Sequence, residues 1–385
     1  MSRNSVQALM KQALGLEDAG EGAAVVINVN VDNDKEEAVE LVEEEVALAE
    51  EEEEAKTEAE VIDELETAAA TLESIALSLE AHAQEGGIDP MAAVYLTHAL
   101  NGVYDRIGLR NTTPALESFG GGSSDRLAAT TISVEEIKEN IKKVLQAIKA
   151  AVVKAVQSML DFFAKVMGGF EKVTARVETL KKKIGELSGK KAEGKISSAV
   201  LARLSVGGKV DSVKAVDNTI KAFGGIYGTF GGKLAQAIED ASAGKEPRVS
   251  NLAEGLNMSE IAAGLEIDSA KQGAFEMPTF VNKGAKLSES ETTVDPLSQT
   301  ELKDLLNKLG VFAKDMADSK KDVKEMGSKI KAAVSKLDAE GKVKPSDFSK
   351  LANGGIRLFN QFNGFAFKTV RAALMLSEKS IAAYK

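Results

Sequence analysis

The sequence predicts a mainly α-helical protein, in which an acidic helical N-terminal segment is joined by a Gly/Ser linker to a basic multi-helix bundle with an irregular middle lobe. Ala, Leu, Lys and Glu are abundant, whereas aromatic residues make up 5% of the chain and Trp is absent. Such a composition favours helices over sheets. Apolar residues also recur at helical spacing over long stretches. Both observations point to the same fold class.

Charge is divided unevenly along the chain. Residues 1–117 contain 27 Asp and Glu against 6 Lys and Arg, which gives a net charge of −21. Residues 118–385 contain 32 acids against 42 bases, which gives +10. The chain is long enough for more than one compact unit. We therefore expect an acidic part at 1–117, a flexible linker at 118–132 and a basic part at 133–385, with 244–296 as an irregular insert.

The acidic part is predicted to contain one long helix after a less regular start. Apolar spacing predicts a short amphipathic helix over residues 5–16, and the β-branched residues 23–31 predict a strand. A long acidic helix then runs from Lys35 to Glu80. Five adjacent acids at 50–54 repel one another and weaken this helix. The acidic stretch is either a solvated or disordered arm or a decoy for a basic partner.

A second helix of the acidic part has signals at both ends. Asp89 and Pro90 form an N-cap and first-turn pair that opens a helix. The helix is predicted to run through Tyr104 and to stop near Gly108, because glycine commonly ends helices.

The basic part is predicted to start its first helix at a capping box, Ser133–Glu136. Apolar residues continue on one face of this helix up to Val166. Gly168 and Gly169 allow a break, and the helical pattern resumes over 170–187.

The middle of the basic part is less regular. A helix is predicted over 196–223, with an interruption at Gly207 and Gly208. The insert 244–296 contains Pro and scattered Gly and Ser, and we expect a long loop or a small lobe with a strand near 275–281.

The C-terminal part returns to strong helical signals. A second capping box, Ser298–Glu301, opens a helical region that reaches Leu337, and 341–346 turns the chain. A final helix is predicted over 348–383. Its aromatic residues are interpreted as core of a helical bundle rather than as a platform for stacked bases. They are Phe359, Phe362, Phe365 and Phe367.

Glycines recur four residues apart at Gly224, Gly228 and Gly232. On a helix this spacing makes a smooth stripe, and we interpret it as a face for tight helix packing or as a flexible hairpin. The apolar stretch 222–232 is shorter than the roughly 20 residues that span a bilayer. No stable membrane insertion is therefore predicted.

The chain lacks the side-chain patterns of common catalytic and metal sites. It has no Cys and only two His, His82 and His98, on separate predicted helices without metal-ligand spacing. No phosphate-binding glycine motif occurs. We therefore predict neither an enzyme nor a metal site nor a cofactor.

Lysines fill much of the polar surface of the helices that follow residue 133. A basic body with a net charge of +10 attracts DNA without reading its sequence, because lysines supply point charges to phosphates. The lysines predicted to contact DNA are Lys138, Lys142, Lys143, Lys149, Lys154, Lys181, Lys182, Lys183, Lys190 and Lys191.

The charge reverses at the sequence Ala115-Leu116-Glu117-Ser118. Pro114 disfavours a helix before this sequence, and the glycines and serines after Phe119 favour a solvated joint, where proteases cut most readily. Ala115-Leu116-Glu117 consists of a small residue, any residue and Glu, and this pattern also occurs at Ser78-Leu79-Glu80, Ser133-Val134-Glu135 and Ala274-Phe275-Glu276. Its position at the joint and at the charge reversal sets Ala115-Leu116-Glu117 apart from these three sequences.

This layout resembles the internal head (inner body) proteins of phiKZ-like giant tailed bacteriophages. Ala115-Leu116-Glu117 is similar to the site that their prohead proteases cut. The resemblance implies a capsid-targeting acidic propeptide at 1–117, removed by the prohead protease, and a helical mature part packed with DNA in the capsid interior. It also implies other capsid or inner-body proteins as partners, and the bacterial host cytoplasm as the location before assembly.

Two other classes of protein remain open at this point. One is a helical membrane-active or pore-forming protein, with the glycine-rich segment as the inserting element. The other is an uncleaved cytoplasmic scaffold whose acidic arm binds a basic partner.

Overall fold

The structure is a computed structural model that describes residues 36–109, 116–187, 194–243, 245–256, 260–272, 274–283, 293–336 and 345–384. The described chain is mostly helical, which confirms the predicted fold class. The helix predicted over 5–16, the strand predicted over 23–31 and most of the turn predicted over 341–346 lie outside the described residues.

Long helices dominate the described residues, and short strands pair as antiparallel hairpins or bridges between them. The α-helices in chain order are α1 (Glu36–Gln84), α2 (Pro90–Ile107), α3 (Ser123–Gly185), α4 (Ser212–Phe223), α5 (Gly231–Ser242), α6 (Gln299–Asp318), α7 (Lys320–Lys336) and α8 (Pro345–Ala382). The strands are β1 (Ile196–Ser197), β2 (Ser205–Val206), β3 (Lys209–Val210), β4 (Leu265–Gln272), β5 (Phe275–Asn282) and β6 (Thr293–Val294), paired β1–β6, β2–β3 and β4–β5.

Helix α8 lies at the centre of the molecule and packs against α1, α3, α4, α5, α6 and the β4–β5 hairpin. Phe359, Phe362 and Phe367 of α8 are buried, and Phe365 is half-buried. These positions confirm that the aromatic cluster belongs to a bundle core. The ring of Phe170 on α3 meets the ring of Phe367 edge to face, with centroids 5.6 Å apart.

Helix α3 begins at Ser123, not at the capping box predicted at Ser133. The linker predicted over 118–132 is therefore wrong from residue 123 onward. Ser133 is buried in the helix, and its Oγ donates to the carbonyl oxygen of Ala129 at 2.9 Å. A serine hydroxyl can bond the preceding turn in this way, so a Ser-x-x-Glu pattern also fits a helix interior.

The break predicted at Gly168 and Gly169 is also wrong, because α3 continues through both residues. A side chain at Gly169 would collide with the ring of Phe367. The glycine thus allows α3 and α8 to approach closely, and the helix does not bend away there.

The helix predicted over 196–223 is wrong in its first half. That half contains β1, a 3-10 helix at Ala199–Leu204 and the β2–β3 hairpin. Gly207 and Gly208, with φ of +63° and +77°, form the hairpin turn, a conformation that glycine adopts without strain. Helix α4 follows from Ser212, capped by the Asp211 carboxylate, which accepts from the Lys214 amide at 3.0 Å.

The glycine-rich segment forms a π-helix, Gly224–Phe230, between α4 and α5. Gly224, Gly228 and Gly232 face open space, so the predicted close-packing stripe is wrong. Ile226 and Phe230 carry the packing instead and are fully buried. The apolar side chains of this segment therefore belong to the protein core.

For several predicted elements, the structure confirms both the element and a residue that begins or ends it. Asp89 Oδ1 accepts from the amides of Met91 and Ala92, and Gly108 ends α2 with φ of +76°. Ser298 and Glu301 form the predicted capping box of α6. The strand expected near 275–281 is β5, which pairs with β4 from Leu265 opposite Asn282 to Gln272 opposite Phe275.

The acidic part shares the core of the basic part. Helix α1 packs along α3 and α8, and α2 packs on α1. Buried residues from 57–109 join those of the rest of the chain in one continuous cluster. Residues 57–109 are thus not a solvated arm, and the expected division at residue 117 does not separate two cores.

Candidate cleavage site and lysine surface

The candidate cleavage sequence lies between α2 and α3. Ala115 is outside the described residues, and Leu116–Phe119 forms a single 3-10 turn. Ser118 is exposed, as are Gly120 to Gly122 after it, whereas Phe119 is 1% exposed and the turn contacts α2 and α3. The Glu117–Ser118 bond is therefore at the surface, with an aromatic anchor beside it.

The other three matches to the small-residue–X–Glu pattern lie inside regular structure. Glu80 is in α1 and follows a buried Leu79, and Glu135 is in α3 and follows a buried Val134. Glu276 is in β5, where its amide and carbonyl bond the backbone of residues 250 and 252. A protease needs extended chain, so a single turn at the surface is the most accessible of the four.

The predicted lysines are spread along α3 and do not form one patch. From Lys138 to Lys183 the helix rises about 70 Å at 1.5 Å per residue. Lys143 pairs with Glu139 at 3.0 Å and Lys181 with Glu178 at 3.1 Å, each within one turn of the same helix. Lys142, Lys149, Lys154, Lys182 and Lys183 also lie on α3, and Lys190 and Lys191 are outside the described residues.

Two of the predicted lysines face the acidic helix α1. Lys138 Nζ lies 2.5 Å from Glu80 Oε1, and Lys154 Nζ lies 3.4 Å from Glu58 Oε1. The acidic part therefore neutralises positive charge on α3 by direct contact.

A polar cluster between α1 and α8 was missed by sequence reasoning. Asp63 accepts from Asn353 Nδ2 at 3.0 Å and from Arg357 Nη2 at 2.8 Å, and Glu66 accepts from Ser349 Oγ. Glu66 is 4% exposed. Burial raises the pKa of Glu66 from 4.5 to about 8, and the Ser349 hydrogen bond opposes this rise.

A signal for this cluster was present in the sequence. Glu66 follows Ile62 by four residues and so lies on the apolar face of its helix. An acid within an apolar stripe indicates a carboxyl that is buried with a partner.

Within the described residues no group of His, Asp and Glu is arranged to hold a metal ion. No helix in the described ranges is both long enough and apolar enough to cross a membrane.

The chain was compared with known proteins and protein families. Residues 34–378 match the family model of phiKZ-like phage internal head proteins. Neither a curated protein nor a solved structure matches the chain. The matched residues include α1 and α2 of the acidic part and nearly all of the basic part. The chain therefore belongs to the phiKZ-like phage internal head proteins, and it is a structural protein of the virion interior that associates with other head components.

Proposed function

We propose that this internal head protein is made as a precursor, cut after Glu117 by the prohead protease, and that its basic mature part associates with packaged DNA. The observation that carries the proposal is the reversal of charge at the candidate site, from −21 before Ser118 to +10 after it. Removal of the acidic part changes the sign of the net charge, from −11 for the whole chain.

Ion pairs between α1 and α3 also support this proposal, because removal of α1 would break them. Lys138 and Lys154 pair with Glu80 and Glu58 of α1. With α1 gone, these exposed lysines lose their carboxylate partners and can pair with phosphate oxygens instead. Association with DNA is then independent of base sequence and decreases steeply with salt, because each neutralised phosphate releases counterions.

The first test is the N-terminal sequence and intact mass of the protein taken from virions. We expect a mature chain that begins Ser118-Phe119. A virion protein that begins at Met1 or Ser2 would contradict the proposed precursor.

A pair of variants tests the choice of cleavage site. Glu117→Ala is expected to leave the precursor uncut by the prohead protease. Glu135→Ala is the matched control, because Glu135 belongs to the same three-residue pattern but lies within α3. Equal cleavage of both variants would assign the cut to a different bond.

DNA association is tested with the mature protein and the full chain on the same duplex. We expect the mature protein to bind, with a logarithm of the binding constant that falls linearly with the logarithm of salt concentration. The full chain is expected to bind much more weakly. Equal DNA affinities of the two forms would show that removal of the acidic part does not control DNA binding.

A further inference from the structure

The groove between α3 and α8 takes up one apolar face of α1. The buried side chains of this face are either adjacent or three or four residues apart, which is the pattern of an amphipathic helix seated in a groove. They are Val61, Ile62, Leu65, Ala68, Ala69, Leu72, Ala76 and Leu79, all at most 5% exposed. The opposite face of α1 is open, and Leu77 is 66% exposed.

Polar contacts fasten both edges of the docked helix. On the α3 side, Lys138 pairs with Glu80. On the α8 side, Arg357 pairs with Asp63 at 2.8 Å. The helix is therefore held by an apolar stripe flanked by ion pairs to two different helices.

The loop between α1 and α2, together with α2 itself, adds a third set of contacts. Ile88 is buried, and its amide donates to Thr130 Oγ1 on α3 at 3.0 Å. Tyr104 and Ile107 of α2 are also buried. None of these contacts depends on the peptide bonds of residues 110–117.

We infer that the acidic segment 36–109 stays docked in the α3–α8 groove as a separate peptide after the chain is cut, so that cleavage and release are two distinct steps. The biological setting rests on the proposed cleavage after Glu117, whereas the docking is a property of the groove. Lys138 and Lys154 remain neutralised until the segment leaves. The apolar groove is uncovered at the same moment as these lysines.

The test uses the full chain with a recognition sequence for a specific protease in place of residues 110–115. After complete cutting, the sample is passed over a size-exclusion column at moderate salt. We expect both fragments to elute together at the volume of the uncut chain. Separate elution of the fragments would overturn the inference.

A core variant tests whether the apolar stripe holds the segment. In the cut protein, Leu72→Ala is expected to raise the dissociation constant of the two fragments about 30-fold or more, by the usual cost of a buried Leu→Ala change. Leu77→Ala on the exposed face of the same helix is the matched control and is expected to have no effect. Equal dissociation constants for both variants would show that the apolar stripe in the groove does not hold the segment.

A charge-exchange variant avoids any disturbance of the core. Lys138→Glu is expected to weaken the cut complex up to about 5-fold, and addition of Glu80→Lys is expected to restore it. Both side chains are partly exposed, so neither change threatens folding. A double variant as weak as the single one would show that this contact does not hold the segment.

DNA binding separates this inference from the proposed function. The cut complex is expected to bind duplex DNA as weakly as the uncut chain. Strong binding by the cut complex before separation of the fragments would overturn release as a separate step. Co-elution of the fragments together with no DNA binding by the separated basic part would retain the docking and refute the proposed DNA association.

Discussion

Two long helices, α1 and α8, pack along α3, and they use different side chains to do so. Helix α8 contributes aromatic residues: Phe367 meets Phe170 edge to face and fits over Gly169. Helix α1 contributes small and aliphatic residues flanked by acids. No residue of α1 takes part in a ring contact within the described part of the chain.

The difference indicates two kinds of attachment. The contacts of α8 reach α1, α3, α4, α5, α6 and the β4–β5 hairpin, so its removal would dismantle the core. The contacts of α1 are confined mainly to α2, α3 and α8. Helix α8 is thus the centre of the core, whereas α1 lies on one side of it and, by the inference above, leaves it only after the chain is cut.

Truncation of the aromatic contact is expected to have the largest effect. Phe367→Ala should lower the free energy of unfolding of the whole chain by about 3–5 kcal/mol, because a buried ring leaves a cavity. Urea denaturation followed by circular dichroism measures this change. Leu77→Ala is the control, and its effect should stay within about 0.5 kcal/mol. A small effect of Phe367→Ala would show that α8 is not the centre of the core.

Truncation in α1 should act locally. Leu65→Ala is expected to weaken the docking of α1 by about 2–5 kcal/mol, because Leu65 is fully buried against the groove. Hydrogen exchange should then become faster in residues 57–84 while α8 stays protected. Equal acceleration in both helices would remove the distinction between α8 at the centre of the core and α1 on one side of it.

The docking of α1 should also depend on pH. Glu66 has a pKa of about 8 in the folded protein, raised mainly by burial, with Asp63 and Asp347 adding to the rise and Ser349 and Lys350 opposing it. A raised carboxyl pKa means that the docked state binds the proton more tightly. The contribution of Glu66 to the free energy of α1 docking is therefore complete below about pH 4.5 and is lost as pH rises towards 8.

The expected loss between pH 5 and pH 8 is a few kcal/mol of α1 docking. Hydrogen exchange of residues 57–84, corrected for the intrinsic effect of pH, measures it. Glu66→Gln should remove most of this dependence, because the amide keeps a polar group without a charge. An unchanged pH profile in Glu66→Gln would assign the dependence to another group.

The smallest effect is expected from the surface ion pair. Lys138→Ala should weaken α1 docking by about 0.2–1 kcal/mol, since both partners are partly exposed and screened by water. The difference between Lys138→Ala and the unchanged protein should decrease further in 0.5 M salt. An effect as large as that of Leu65→Ala would mean that charge, and not the apolar stripe, holds α1.

Local signals in the sequence predicted the elements that they mark directly. Asp89, Pro90 and Gly108 bound α2, and Ser298 opens α6, because caps and stops act within a few residues. Local signals failed where a residue that is distant in the sequence determines the local structure. Gly169 looks like a helix break, but its small size serves the ring of Phe367 far along the chain.

The candidate site shows the same limit. The lysines of α3 and the pattern at Glu117 were visible in the sequence, as was the reversal of charge. The partners of those lysines were not, because Glu80 and Glu58 reach α3 only through the packing of α1. The environment of Glu66 depends on Ser349, which lies 283 residues away. Contacts over such separations leave no periodicity to detect.

The burial of Phe119 has a consequence for timing. This ring is closed against α2 and α3 two residues beyond Glu117, so a protease that takes up extended chain must wait for the turn to open. When opening is fast relative to cutting, the rate follows the small population of opened molecules, and each 1.4 kcal/mol of stability in the turn slows it about tenfold. The rate of cleavage after Glu117, as proposed here, would therefore be set by the stability of this turn in the precursor, to which the burial of Phe119 contributes.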